Sequence, residues 1–445
     1  MHPVSRGELF DPVFGAQQLS PLLSDQAWVT AMLDVEGALA HAAADAGVIP
    51  GEHAVAIAAA ARTLADTLDP ALLGVEGAAG GNPVIPLVKH LRAECAPVGV
   101  PGASVHTGAT SQDVIDTALM LLAQRAGSVV AAQVTAAADA AASLASRFRD
   151  TPMAARTLGQ QALPTTFGAL AASWCSALDR AHHELARVLT TLPVQFGGAA
   201  GTLAALHPHG LDVADGLADE LGLARQTVPW HTDRTRIGAL ASALGVAAGA
   251  VAKIATDVVL MAATELGEVA EDSPGGSSAM PHKRNPVAAV AARAAALRVP
   301  GLVATALTAM PHEFQRAAGA WHAEWETTTD LLRLTGGAAH RIAVCLSGLH
   351  VDGDAMRRNL DATGGALLAE RVTGALAAHT DRARDLVTAA CLAGRPLDAD
   401  PAITEHLAPD RVRELLDPAR YLGHAGDIVD RVLASRSTTP KEKSL

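Results

Sequence analysis

Residues 113–150 read DVIDTALMLLAQRAGSVVAAQVTAAADAAASLASRFRD, a run with no proline and one interior glycine, Gly127. Alanine and leucine dominate it, and they are the residues that give up least on entering a helix. One uninterrupted helix over this run would be about 55 Å long at 1.5 Å per residue. Stretches of the same kind cover about 165–192, 232–270, 285–310 and 321–350, which predicts five long helices and an all-α fold. Their Ala-rich faces offer more apolar surface than one bundle in one subunit is expected to cover, so the bundle is expected to continue across subunits, as a homo-oligomer.

Composition agrees with that class. Apolar residues make up 49% of the 445 and aromatics only 3%, which suits close-packed helices and not a sandwich of β-branched and aromatic strands. The balance of 34 basic against 46 acidic residues gives a net charge of −12, which argues against a nucleic-acid partner. An anionic ligand would then need a local cationic pocket. Cys95, Cys175, Cys345 and Cys391 lie far apart without metal-ligand spacing; three of them sit in apolar helical context and read as small core residues, in a reducing, cytoplasmic setting. His207-Pro208-His209 is the histidine pair most like a metal site, yet nothing around it has zinc spacing, and no metal is expected. No leader pattern opens the chain, and no long charge-free run is expected to span a bilayer, so no membrane partner is expected.

Outside the long helices the pattern is shorter. Ser24 reads as an N-cap for a helix whose face carries Trp28, Met32, Val35 and Leu39, and further helices are expected over about 52–68 and 84–95. Pro97 and Pro101 mark a boundary, and breaks at Gly394-Arg395-Pro396 and Asp417-Pro418 divide the last segment. The expected domains are 1–110, 111–350 and 351–445.

Three polar segments fall at the ends of the long helices. The first runs from His106 through Thr110, Ser111 and Asp113, a hydroxyl-rich turn opening a helix, in which Thr110 and Asp113 have capping-box spacing. The second holds Thr157, Leu158 and Gln160. The third is Gly275-Gly276-Ser277-Ser278-Ala279-Met280-Pro281-His282-Lys283-Arg284-Asn285-Pro286, in which glycines loosen the backbone and Asn285-Pro286 reads as an N-cap with an N1 proline. A solvated basic turn would have this composition too. An anion is expected to profit from the helix start and from Lys283 and Arg284.

The third segment closely resembles the signature loop of the fumarase/aspartase superfamily, with every fixed position of Gly-Ser-Ser-x-Met-Pro-x-Lys-x-Asn-Pro present. That resemblance implies a three-domain, all-α subunit and a homotetramer whose sites combine segments from three subunits. It implies Ser277 as the carbon acid/base, Lys283 and Asn285 as carboxylate and enolate ligands beside Ser278 and Met280, and Thr110 and Ser111 as hydrogen-bond donors to a substrate carboxylate. Thr157 and Gln160 are implied as polar contacts, with Arg234 and Arg316 as further cations. His106 and His282 flank the two turns and are taken, with Ser277 and Lys283, as catalytic. The superfamily's lyases carry a histidine for proton transfer where this chain has Leu158.

Several strings, among them Gln195-Phe196-Gly197-Gly198-Ala199, Trp230-His231-Thr232 and Trp321-His322-Ala323-Glu324-Trp325, resemble the bacterial 3-carboxy-cis,cis-muconate cycloisomerases of protocatechuate breakdown. The implied reaction closes a small tricarboxylate to a lactone and needs no cofactor. Its nucleophile is a substrate carboxylate, ionised at neutral pH because its pKa is about 4, so no second acid or base is required where Leu158 stands. A superfamily lyase acting on another succinyl-type substrate, such as adenylosuccinate, would keep Ser277 and Lys283 and need a replacement acid near Leu158.

Overall fold

The computed structural model describes residues 9–276 and 279–438. Near the start, α1 (Asp25–Asp45) is capped by the Ser24 hydroxyl, which accepts from the Ala27 N–H as the sequence suggests. It packs against α2 (Gly51–Thr67); α3 (Val84–Cys95) follows. The five long helices are all present: α4 (Ser111–Arg147), α5 (Phe167–Leu189), α7 (Thr235–Met261), α8 (Val287–Ala309) and α9 (Ala320–Ser347). Between α5 and α7, α6 (Gly210–Leu221) lies against α1.

Strands occupy little of the chain, yet they correct the expected helix ends. Residues 152–166 form an antiparallel hairpin of β1 (Pro152–Thr157) and β2 (Gln160–Thr166), with a register shift between Ala154 and Arg156. The turn is Leu158-Gly159, both at positive φ, which matches the twist of a tight hairpin. The helix expected over 232–270 stops at Met261. A turn through Gly267 at φ +58° leads to β3 (Val269–Glu271), which pairs antiparallel with β4 (Leu349–Val351) at the end of α9. Burying Glu268 drives that exit from helix: its carboxylate receives two hydrogen bonds from Arg156 and one from Asn359, which lies on α10 (Gly353–Asp361).

The described chain forms two compact units. The first comprises residues 1–134, 180–252 and 291–341, and the second 135–179, 253–290 and 342–445, so the division falls inside each of the five long helices. Short helices at the C-terminal end of the second unit close a core of Val372, Leu376, Val387, Ile403 and Val412.

One expectation about hydropathy is overturned. Three helices, α4, α7 and α8, are long and apolar enough to cross a membrane, with mean hydropathy of 1.3, 1.8 and 1.5 over their most apolar windows. The sequence reading missed them because it looked for runs free of charge, whereas one or two charges do not offset so much alanine and valine. The four cysteines are free thiols, three of them buried.

Candidate active site

In the first unit the N-terminal turn of α4 is the point to which the other segments are tied. Asp113 is buried, and its carboxylate accepts from the backbone N–H of Thr110, Gly197 and Gly198, at 3.0, 3.0 and 2.9 Å. His231 Nε2 lies 2.6 Å away and Gln195 Nε2 3.3 Å away. The capping-box reading of Thr110 and Asp113 therefore holds for the half in which the acid reaches back to the cap's N–H. The larger role of Asp113, clamping the 195–198 and 230–231 strings onto one helix start, was not legible from spacing, since those partners are about 80 to 120 residues away. The hydroxyls of Thr110 and Ser111 are half-buried and receive or donate no hydrogen bond among the described residues, which leaves them for a ligand.

Gln112 extends the clamp. Its amide N–H donates to Asp116 and to the His231 carbonyl, and its oxygen accepts from Arg316 at 3.0 Å. Arg316 also donates to the carbonyls of Gly198 and Ala199. The sequence expectation for Arg316 thus gains a second aspect: it holds the glycine segment to the helix start, half-buried beside Thr110 and Ser111. Gly108 completes the turn at φ +71°, and a Cβ there would sit 2.4 Å from the Leu206 side chain.

Arg234 is corrected. It was expected to bind substrate, but its side chain has no exposure and lies between two carboxylates, also fully buried, donating to Asp116 at 2.7 and 3.0 Å and to Glu324 at 2.5 to 3.1 Å. Burial opposes its charge, yet Asp116 and Glu324 outweigh that and raise its pKa further. Trp321 Nε1 donates to Asp116 as well. This is an ionic scaffold beneath Gln112, with no face toward a ligand. Sequence spacing could not separate Arg234 from Arg316, because both stand at helix ends among polar residues.

In the second unit the signature loop is pinched at its base, where Gly275 and Asn285 exchange backbone hydrogen bonds at 3.0 and 2.9 Å. A Cβ at Gly275 would meet Val287 at 2.3 Å, so the pinch requires glycine. His282, Lys283 and Arg284 are exposed, and Met280 is partly so. Ser277 and Ser278 lie outside the described residues. The helix start after the loop differs from expectation. Asn285 does not cap α8; its amide donates to the Gly275 carbonyl. The N–H groups of Ala288 and Ala289 are instead taken by the buried Glu271 carboxylate at 3.1 and 2.8 Å. The positive end of the helix is therefore neutralised from within, and an anion at the loop depends on Lys283 and its neighbours.

The hairpin carries Thr157 and Gln160 at the positions flanking its turn, both exposed, and Leu158 at its tip is fully exposed. Its φ of +53° is strained for a branched apolar residue. An exposed, strained leucine is a poor choice for a tight turn on its own account.

The lyase family matches residues 8–301. A nitrosuccinate lyase of Streptomyces davaonensis is 44% identical over 96% of this chain and 94% of that protein. A 3-carboxy-cis,cis-muconate cycloisomerase of Pseudomonas aeruginosa is 44% identical over 98% of this chain and 97% of that protein. Among solved structures, the 3-carboxy-cis,cis-muconate lactonizing enzyme of Pseudomonas putida superposes with a TM-score of 0.90 at 41% identity, covering 97% of this chain and 99% of that one. The chain belongs to the lyase family of the fumarase/aspartase superfamily. Within it, the resemblance drawn from the sequence strings agrees with full-length relatives that are muconate cycloisomerases.

Proposed function

We propose that this enzyme is a 3-carboxy-cis,cis-muconate cycloisomerase. The substrate is a tricarboxylate whose own carboxylate attacks across the ring-closing bond while one proton is delivered to the carbon beside another carboxylate. No atom enters or leaves overall. Ser277 is the proton donor, working through an aci-carboxylate intermediate whose charge is met by Lys283 and Asn285; Ser278 and Met280 line the same loop. Thr110 and Ser111 donate to a second carboxylate, with Arg316 holding their turn, and His106 and His282 supply charge at the edges of the two turns. Thr157 and Gln160 are contacts from the hairpin. Holding nucleophile and electrophile in one molecule makes the attack intramolecular, for which orientation contributes about 7–11 kcal/mol.

The observation that carries this reading is Leu158. An amine or hydroxide leaving group needs an acid, and the hairpin tip offers none; a carboxylate nucleophile needs no base. The subunit is read as three domains, 1–110, 111–350 and 351–445, assembled as a cytoplasmic homotetramer with sites shared between subunits. Exposed Val287, Val290, Leu297 and Leu307 on α8 support that assembly, since they leave an apolar helix face for a partner.

A second reading is favoured by the nitrosuccinate lyase at 44% identity. Nitrite, like a carboxylate, is an anion at neutral pH and departs without an acid, so Leu158 fits it as well. The experiment that separates the two offers both substrates to the purified enzyme. Loss of the conjugated diene absorbance of 3-carboxy-cis,cis-muconate, with the lactone identified by NMR, supports the first; nitrite release from nitrosuccinate at the higher kcat/KM supports the second.

A further inference from the structure

The turn that carries Thr110 and Ser111 also carries His106, whose partner Glu36 neither the sequence motifs nor the proposed chemistry accounts for. His106 sits at φ +62°, a conformation that costs a non-glycine residue energy and persists only where its surroundings impose it. What imposes it is Glu36, reaching across from α1: His106 Nδ1 and Glu36 Oε1 are 2.6 Å apart, the separation of a charge-assisted hydrogen bond. The Glu36 side chain has no exposure, while that of His106 retains 14%. The second oxygen of Glu36 is buried and has no partner among the described residues. Stability does not explain this arrangement, because a buried charge pair gains little over apolar residues of the same volume, and the residues near Glu36 on α1, Val35 and Ala38, are buried and apolar.

We propose that Glu36 is a positioning residue that fixes and aims the His106 ring, so that His106 Nε2–H recognises a substrate carboxylate beside the hydroxyls of Thr110 and Ser111. The inference rests on the reading of this turn as a carboxylate site. His106 Nε2 has no partner among the described residues, so the ring is fixed at one nitrogen and open at the other. Its charged surroundings come from three helices: Glu36 on α1, Arg92 on α3 and Asp113 on α4. Burial alone would lower the His106 pKa and Arg92 lowers it further, but Glu36, with Asp113, outweighs both and holds it above the ordinary histidine value. A raised folded-state pKa means the charge is fully present below the ordinary value of about 6.5 and is lost as pH rises through the raised one. Carboxylate binding should therefore weaken as pH rises through the raised His106 pKa, and removing Glu36 should move that weakening to lower pH.

The test is a double-mutant cycle in the intact enzyme with Glu36→Gln, His106→Asn and the pair. KM and kcat for 3-carboxy-cis,cis-muconate are measured across pH, alongside calorimetric binding of tricarballylate, an unreactive tricarboxylate. Each single variant is expected to raise KM and the tricarballylate Kd about tenfold to a hundredfold, as for loss of a hydrogen bond to a charged group, with kcat changed far less. Glu36→Gln should shift the rise in KM to lower pH, and His106→Asn should remove it. In the His106→Asn background, Glu36→Gln should have no further effect. A Glu36→Gln penalty that persists in that background would make Glu36 a structural residue only and overturn the proposal. Should Glu36→Gln not fold, His106→Asn alone decides: retention of the pH-dependent rise in KM overturns it. An enzyme inactive on the muconate that still binds tricarballylate with this pH dependence would remove the cycloisomerase reading and leave the His106 assignment standing.

Discussion

Replacing Arg234 by Met separates scaffold from substrate contact. The methionine keeps most of the apolar stem and volume, while the guanidinium that Asp116 and Glu324 share is lost. Two carboxylates with no side-chain exposure worth the name, 1% and 0%, are then left facing each other without the guanidinium, with only the buried His312 imidazole 3.3 Å from Glu324 beside them. Removing one partner of a buried pair costs about 3–5 kcal/mol, because the abandoned charge remains desolvated. Equilibrium urea denaturation should register that loss as a clearly lower midpoint with an unchanged slope. Turnover should fall only as a consequence, through Asp116 releasing Gln112 and Gln112 releasing Arg316. Adding Asp116→Asn should restore part of the stability, since it removes one of the stranded charges. A variant with a wild-type urea midpoint and a greatly raised KM would refute this reasoning and return Arg234 to the role expected from the sequence.

Other expectations follow from the same geometry. Glu271→Gln should destabilise the start of α8 by about 1 kcal/mol, the range for losing a good helix cap, measured as faster amide exchange at Ala288 and Ala289; unchanged exchange would show that the carboxylate does not cap the helix. Ser277→Ala should lower turnover at least about a hundredfold with the fold intact, as for other acid/base groups; if Ser278→Ala shows that loss instead, the donor is the second serine. Leu158→Asn should relieve backbone strain at φ +53° and leave stability equal or improved, so a fall in kcat/KM in this variant would mean that the exposed leucine meets substrate or another subunit. Cys175, pushed up to about 12 by burial and by Asp179, should not react with a thiol reagent at pH 8 in the folded enzyme.

What the sequence made legible is what repeats locally. Excess of alanine located all five long helices to within a few residues, Pro300 inside α8 notwithstanding, except where burial of Glu268 ended α7 early and paired Val269–Glu271 with the strand that follows α9. The tight hairpin at Leu158-Gly159 was hidden because leucine is not a residue that advertises positive φ. The turns that carry Thr110, Ser111 and Lys283 could be found from motif and capping chemistry. The residues that hold those turns could not, because Asp113, Glu36 and Glu271 act on partners that only the fold brings near. A buried glutamate on an Ala-rich helix face gives no signal in spacing. The error over Arg234 has the same origin: a cation beside a polar string looks identical whether its carboxylate partner is a ligand or lies 90 residues further along the chain.

The most direct test of the central claim is the ultraviolet assay of purified enzyme on 3-carboxy-cis,cis-muconate, with product structure read by NMR. The account predicts loss of the diene absorbance, formation of the γ-carboxymuconolactone, and abolition of both by Ser277→Ala. Unchanged absorbance, with nitrite released from nitrosuccinate by the same preparation, would contradict it.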